Sequence, residues 1–296
     1  MNKITSKIFI DGGDPEETRQ ANALMLTKLG RPLDGQTTNP TLIARNLKEQ
    51  ITKNLPRRQA GKKQKKLNEE DALNEYKRIV QEMSKIIPQG SISIQVFANN
   101  ETTASEMLEQ ANDRKNWIPN ASIKFPCLRE GLKAANIACR DMPINITLVF
   151  SQEQGAAVHQ ATLERSYPIF ISPFVGRLDD KGENGMDVVR NIKEMYKNNK
   201  SHVEVLTAST RSIEHIKYAL FLKSEIITIP FKVFKLWADD GFSVPGEEYM
   251  YEPPNLKPIP YQELTLDKPW NAYYLSHPLT DAGIEAFYKD WTGLFN

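Results

Sequence analysis

The chain has 296 residues, 40% hydrophobic and 25% charged, an ordinary globular composition that excludes disordered and fibrous classes and leaves room for one large α/β domain or two smaller ones. Thirty-eight basic residues against 37 acidic leave a formal charge of +1, so no general electrostatic pull toward nucleic acid or a membrane surface is expected and an anion must be recognised locally. There is no charged-then-apolar leader pattern, and no run approaches ~18 consecutive apolar residues, so a soluble chain is expected.

Taken in order, short β-type runs alternate with helical patterns. "KIFID" at 7 to 11 is the first strand, and "DPEE" then sets Asp14 as an N-cap, Pro15 at the first helical position and Glu16 and Glu17 in the first turn. "DGQTT" at 34 to 38 is a weak second strand. Residues 46 to 72 form a polar insertion with seven basic residues between Lys53 and Lys66, expected to be a solvated loop or helix face, with substrate steering or a partner site as the alternative.

"SISIQVFA" at 91 to 98 is the third strand, followed by Ala104, Met107, Leu108 and Ala111 at helical spacing. "ASIKFP" at 121 to 126 precedes Leu128, Leu132, Ala135 and Cys139 on one helical face. "PINITLVF" at 143 to 150 leads into "SQEQ" at 151 to 154, which has capping-box form. "IFISPF" at 169 to 174, "VEVLTAS" at 203 to 209, the helical Ile213, Ile216 and Leu220, and "EIITIP" at 225 to 230 complete the repeat.

Eight strands each followed by a helix predict an α/β fold of the (β/α)8 TIM-barrel type, spanning 1 to 296 as a single domain; a doubly wound open sheet is the alternative. The proline- and aromatic-rich segment at 241 to 296 stands outside the repeat. It is read as an extension packing on the barrel, with an arm over a neighbouring subunit, as in a homodimer, as the other possibility.

Polar residues collect where the strands end. They are Asp11, then Thr37, Thr38 and Asn39, then Gln95, Lys124, Asn145, Thr147 and Ser172, with Arg177, Ser209 and Arg211 just beyond. In a (β/α)8 barrel such ends build one pocket. Singly, an Asn or Thr on a strand is an ordinary satisfied core residue, an Arg is an ordinary surface ion-pair residue, and Asp11 could simply end a strand. Lys124 is different, because lysine is almost never fully buried without a partner.

Burial depresses a lysine pKa and supplies neutral amine for attack on a carbonyl. A Schiff base then acts as an electron sink beside which a carbon–carbon bond can break without a metal. Such chemistry needs a carboxylate to move a proton, amides and hydroxyls to hold sugar hydroxyls, and cations for a phosphate. Asp11, Asn39, Asn145, Thr147, Arg177 and Arg211 match those needs.

The segments "DGQTTNPTLI", "SIKFPCLREGLKAA", "INITLVFSQEQ" and "ISPFVGRLDD", in this order and spacing, closely resemble transaldolases from about Lys7 to Phe231, with a weaker match in the C-terminal helix. The resemblance implies that Lys124 is the Schiff-base lysine and Asp11 the proton-transfer carboxylate. It gives Asn39 and Asn145 the hydroxyls of a dihydroxyacetone unit, Thr147 the catalytic water, Ser172 a substrate contact, and Arg177, Ser209 and Arg211 the phosphate. Thr37 and Phe174 are counted with the substrate-binding set.

The implied reaction transfers dihydroxyacetone from sedoheptulose 7-phosphate or fructose 6-phosphate to an aldose phosphate, in the non-oxidative pentose phosphate pathway. One position departs from the pattern: where transaldolases carry a glutamate late in the third strand, this chain has Gln95, as the fructose-6-phosphate aldolase-like relatives do. Those relatives carry a tyrosine where this chain has Phe174. Two further readings therefore stay open, a fructose-6-phosphate aldolase-type lyase and a catalytically weak sugar-phosphate-binding or scaffold protein.

Cys127 and Cys139 lie outside any CxxC or CxxH context, so neither zinc nor a disulfide is expected and a reducing, cytoplasmic setting is the default. His159, His202, His215 and His277 have no metal-ligand spacing. No GxGxxG or P-loop occurs, so no cofactor is expected; the expected partners are sugar phosphates, not nucleic acid or membrane.

Overall fold

Isoleucine recurs at alternate positions of the β-type segments: Ile8 and Ile10, Ile92 and Ile94, Ile144 and Ile146, Ile169 and Ile171, all fully buried. A period of two puts these side chains on one face of each strand and leaves the residues between them, Phe9, Ser93, Asn145 and Phe170, on the other. A sheet with an apolar outer face and an inner face of mixed polar and aromatic residues is stable when it closes on itself beneath a layer of helices.

A computed structural model, describing residues 4–53, 67–253 and 255–295, has that form. The strands are β1 (Lys7–Asp11), β2 (Gly35–Thr37), β3 (Ser91–Gln95), β4 (Ala121–Pro126), β5 (Ile144–Val149), β6 (Ile169–Pro173), β7 (Glu204–Thr207) and β8 (Ile226–Pro230). All are parallel, and β1 pairs with both β2 and β8, so the sheet is a closed barrel. That pairing excludes the open doubly wound alternative.

Around the barrel run α1 (Pro15–Leu29), α2 (Pro40–Lys53), α3 (Glu69–Ile86), α4 (Ala104–Arg114), α5 (Arg129–Ala138), α6 (Gln152–Ala161), α7 (Val175–Asp179), α8 (Gly185–Asn198), α9 (Ile213–Phe221) and α10 (Phe231–Asp239). The predicted start of α1 is found: Asp14 accepts from the Glu16 amide at 2.9 Å and Pro15 leads the helix. At α6 only half a capping box forms. Ser151 accepts from the Gln154 amide, but the Gln154 side chain accepts from Phe150 N at 2.7 Å, one residue before the cap.

Several strands end earlier than their apolar pattern does. Phe97 leaves the β3 ladder because the Gln110 side chain satisfies both its amide, at 2.8 Å, and its carbonyl, at 2.9 Å. On β5, Leu148 adopts φ 61°, and the register with β6 shifts between Ile146 and Val149. Within the segment at 46 to 72, residues up to Lys53 complete α2 and those from Glu69 begin α3; residues 54–66, which hold most of the basic run, lie outside the described residues.

The lower end of the barrel is filled by Phe9 and Phe170, edge to face at 6.5 Å. Gly35 makes room for them, since a Cβ there would lie 2.5 Å from the Phe9 ring and 2.3 Å from the Ser91 carbonyl. The tail runs along α6 and α8. Ile259 N donates to Asp187 at 3.0 Å, Gln262 and Gln152 bond reciprocally, and Tyr251 stacks on Tyr218 at 4.3 Å.

The last helix, α11 (Pro278–Thr292), then crosses the C-terminal end of the barrel. It is held by Thr280 Oγ1 donating to the Leu148 carbonyl at 2.9 Å and by Trp291 stacked on Phe97 at 4.0 Å. Among the described residues no helix is long and apolar enough to cross a membrane.

Candidate active site

β4 is buried at all six positions, and Lys124 is 2% exposed. Its Cα is in register with Gln95 on β3 and Asn145 on β5, so these three side chains enter the lumen at one level. The Lys124 Nζ donates to the Thr38 carbonyl at 3.0 Å. Burial pushes the ammonium down to about 8, against the pull of Asp11 in the other direction, and the Arg177 charge adds to the depression.

Asp11 ends β1 and faces the same space. Burial raises its carboxyl above the usual carboxylate range, while Lys124 and a hydrogen bond from Thr37 Oγ1 at 2.8 Å work to lower it. Thr37 has one proton, given to Asp11, so its 2.7 Å contact with Thr228 Oγ1 is a bond that Thr228 donates. Both shifts favour the neutral forms. Burial thus works against the ion pair, while the mutual attraction of the two groups works for it.

The amide of Asn145 is fixed at both ends: Nδ2 donates to Ser93 Oγ at 3.1 Å, and Oδ1 accepts from Ser172 at 2.6 Å. Asn39 caps α2, its Oδ1 accepting from Leu42 N at 3.0 Å, which leaves its Nδ2 as the group available to a ligand. Gln95 Oε1 and Thr147 Oγ1 are buried and have no hydrogen-bond partner among the described residues. Buried oxygens in that state are satisfied by a water or a substrate hydroxyl.

The rim beyond β6 and β7 is cationic. Val175 N donates to the Ala208 carbonyl and Gly176 N to that of Ser209, each at 3.0 Å, which clips the two loops together. Ser209 takes φ 58° to reach this position. Arg211 packs over Gly176, where a Cβ would lie 2.4 Å from its Nε. The Arg177 guanidinium is sandwiched 5.3 Å from the Phe174 ring and 5.2 Å from that of Phe287. Burial depresses Arg177, and the nearby Arg211 charge does so further. Two guanidiniums kept this close are relieved by an anion.

The predicted side chains thus converge, with one distinction. Arg211 is exposed and already ion-paired to Asp180 at 2.8 Å, whereas Arg177 is half-buried with no carboxylate within ion-pair distance among the described residues. Sequence reasoning placed Thr38 at the pocket without a role and missed Ser93, Thr228 and Phe287. Thr228 was detectable as a lone polar residue in "IITIP"; Thr38 contributes a carbonyl, for which no side-chain signal exists.

A cleft of about 730 Å³ lies elsewhere, between α8 and the turn that follows α9. Convergent polar groups with shifted ionisation, not volume, mark the site at the barrel mouth. Among the described residues no three or more His, Cys, Asp or Glu side chains are grouped to hold a metal ion, and Cys127 and Cys139 are free thiols.

A closed (β/α)8 barrel with its ionisable groups gathered at the C-terminal strand ends defines a barrel enzyme. The chain belongs to the Transaldolase/Fructose-6-phosphate aldolase family, whose model matches residues 8–296, and is an enzyme of the transaldolase type. It is 31% identical over 289 residues to a "Probable transaldolase" of Alkaliphilus metalliredigens, covering 97% of this chain and 99% of that one. A "Probable transaldolase" of Herpetosiphon aurantiacus is 31% identical over 286 residues, 96% and 94% of the two chains. A "Probable transaldolase 2" of Listeria monocytogenes is 29% identical over 287 residues, 96% and 95% of the two chains.

Proposed function

We propose that this enzyme transfers a dihydroxyacetone unit from a ketose phosphate, such as fructose 6-phosphate or sedoheptulose 7-phosphate, to an aldose phosphate. The observation that carries this reading is a lysine buried to 2% exposure beside a half-buried carboxylate in a closed barrel. Lys124, depressed to about 8, presents neutral amine to the C2 ketone and loses water to give an iminium. Asp11 as carboxylate takes the C4 hydroxyl proton while the C3–C4 bond breaks, and the electron pair of that bond flows into the iminium.

The aldehyde leaves and the enamine stays on Lys124. Attack of the enamine on an acceptor aldehyde, with Asp11 returning the proton to the new alkoxide, followed by hydrolysis, closes the cycle. Asn145, locked between Ser93 and Ser172, and Asn39 hold the hydroxyls of the retained unit. Thr37 fixes the Asp11 carboxyl. Gln95 and Thr147 place the water that enters and leaves during imine chemistry, and Phe174 packs under Arg177. Arg177, Ser209 and Arg211 receive the phosphate. The activity belongs to the non-oxidative pentose phosphate pathway in a reducing, cytoplasmic setting.

A second reading is favoured by one residue. Gln95 orients a water but exchanges no proton at neutral pH, as in the aldolase-like branch, where the retained unit is released as dihydroxyacetone. Fructose 6-phosphate assayed with and without erythrose 4-phosphate separates the two. Cleavage that depends on the acceptor is expected; acceptor-independent cleavage as fast as transfer would make the enzyme a lyase.

A further inference from the structure

The buried face of α3 carries Ala72, Ile79, Val80 and Met83 at helical spacing and, among them, one phenol, Tyr76, which is fully buried. Its ring stands edge-on to Trp117 at 5.5 Å and 6.1 Å from that of Phe97. A buried tyrosine hydroxyl needs partners, and this one finds them at the ends of β2 and β3. Thr38 Oγ1 gives its proton to the Ser93 carbonyl at 2.7 Å, so the 2.6 Å contact between Thr38 Oγ1 and Tyr76 is one that the phenol donates. The phenol oxygen in turn accepts from the Gln95 amide at 3.1 Å.

That last bond interrupts the ladder. β2 and β3 pair in parallel with Thr37 opposite Ser93, and their bonds run from Ser91 N to the Asp34 carbonyl at 3.0 Å and from Thr38 N to the Ser93 carbonyl at 3.1 Å. Four residues further along each strand, the step made by Ser91 N would send Gln95 N to the Thr38 carbonyl. Tyr76 takes the Gln95 amide instead, and the Thr38 carbonyl accepts from Lys124 Nζ at 3.0 Å. An oxygen already accepting from a strand amide is a poorer acceptor for a second donor, so the interruption matters to the amine.

We propose that Tyr76 is a positioning residue for the imine chemistry: by capturing the Gln95 amide it keeps the Thr38 carbonyl free to hold the Lys124 nitrogen. The inference rests on the Schiff-base reaction proposed above and extends it to α3. The charged groups facing Lys124 are Asp11 from β1 and Arg177 from α7, and Arg114 of α4 faces Tyr76. Tyr76→Phe removes none of them.

The test is the rate at which the full chain forms a borohydride-trapped adduct with fructose 6-phosphate across pH 6 to 10, in wild type and in Tyr76→Phe, which keeps the ring and loses the oxygen. Gln95 N then closes onto the Thr38 carbonyl, and the amine loses a bond that favours its charged form. The midpoint of the profile should fall by about one pH unit. The rate on the high-pH plateau should drop roughly tenfold or more as the nitrogen leaves its place. Replacing Tyr76 by difluorotyrosine keeps the shape and the donor but makes the oxygen a poorer acceptor for the Gln95 amide. It should move the midpoint the same way by less, and it serves where Tyr76→Phe fails to fold. An adduct on wild type with an unmoved midpoint in the variants, whether or not they are slower, would overturn this proposal alone. No adduct on wild type would overturn the imine reading and the proposal with it.

Discussion

Lys124 donates from Nζ to the carbonyl oxygen of Thr38, 86 residues earlier in the chain, at 3.0 Å. The bond crosses from β4 to the end of β2 and fixes where the amine stands relative to Asp11, whose partner Thr37 is the neighbour of Thr38. A carbonyl accepts from both an ammonium and an amine, more strongly from the ammonium, so the contact holds the nitrogen in place in either state while burial works against the charge. Burial then decides the ionisation.

The first prediction concerns pH. The neutral amine is the reactive form and Lys124 is held at about 8, so the rate of imine formation should rise as pH climbs through 8 and level off above it. Pre-steady-state trapping of the fructose 6-phosphate adduct across pH 6 to 10 measures it. A flat profile would contradict the depressed lysine.

Stability should follow the same group. Lys124 falls from an ordinary 10.5 to about 8 in the fold, so between those values the unfolded chain binds the extra proton and stability rises with pH. Burial of the charge below pH 8 costs on the order of 3 kcal/mol. Lys124→Met should therefore melt higher than wild type at pH 7, by up to roughly 10 °C, and the gap should shrink by pH 10. Calorimetric melts of both proteins check this.

Gly283 lets α11 lie against the cationic rim, because a Cβ there would come 2.5 Å from Arg177 Nη1 and 2.6 Å from Leu148. Gly283→Ala should displace Arg177 and raise KM for fructose 6-phosphate roughly tenfold, about 1.4 kcal/mol, with kcat and unphosphorylated fructose little affected. An equal loss on both substrates would place the effect outside phosphate binding.

Gln95, in register with Lys124, and Thr147, two residues beyond Asn145 on β5, each present a buried oxygen without a partner among the described residues. If the water between them limits turnover, Gln95→Glu supplies a group that both orients and exchanges protons, and transfer to erythrose 4-phosphate should rise about tenfold or more. No increase would remove the water relay from the account. Thr147→Ala should slow imine hydrolysis by a similar factor, seen as adduct accumulation.

The barrel was legible because its outer face is a regular isoleucine alternation and because Asp14 and Pro15 announce the first helix. Lys124 stood out as a lysine in an otherwise apolar strand. The rest is silent in sequence for physical reasons. Thr38 acts through its backbone, Leu148 through a positive φ that no residue type signals, and Gly283 through closeness to Arg177 that only the docked tail creates. Arg114 reads as an ordinary basic residue in the last turn of a helix until the packing of Phe97 and Trp291 shows it enclosed. The strand ends were overrun for a similar reason: Phe97 is apolar like its neighbours, yet a side chain amide captures its backbone.

Borohydride reduction of the enzyme with fructose 6-phosphate, followed by peptide mass analysis, tests the chemistry most directly. The peptide containing Lys124 should gain one reduced dihydroxyacetone unit, and Lys124→Met should gain none. A protein that stays unmodified under turnover conditions, or carries the unit on another lysine, would contradict the account.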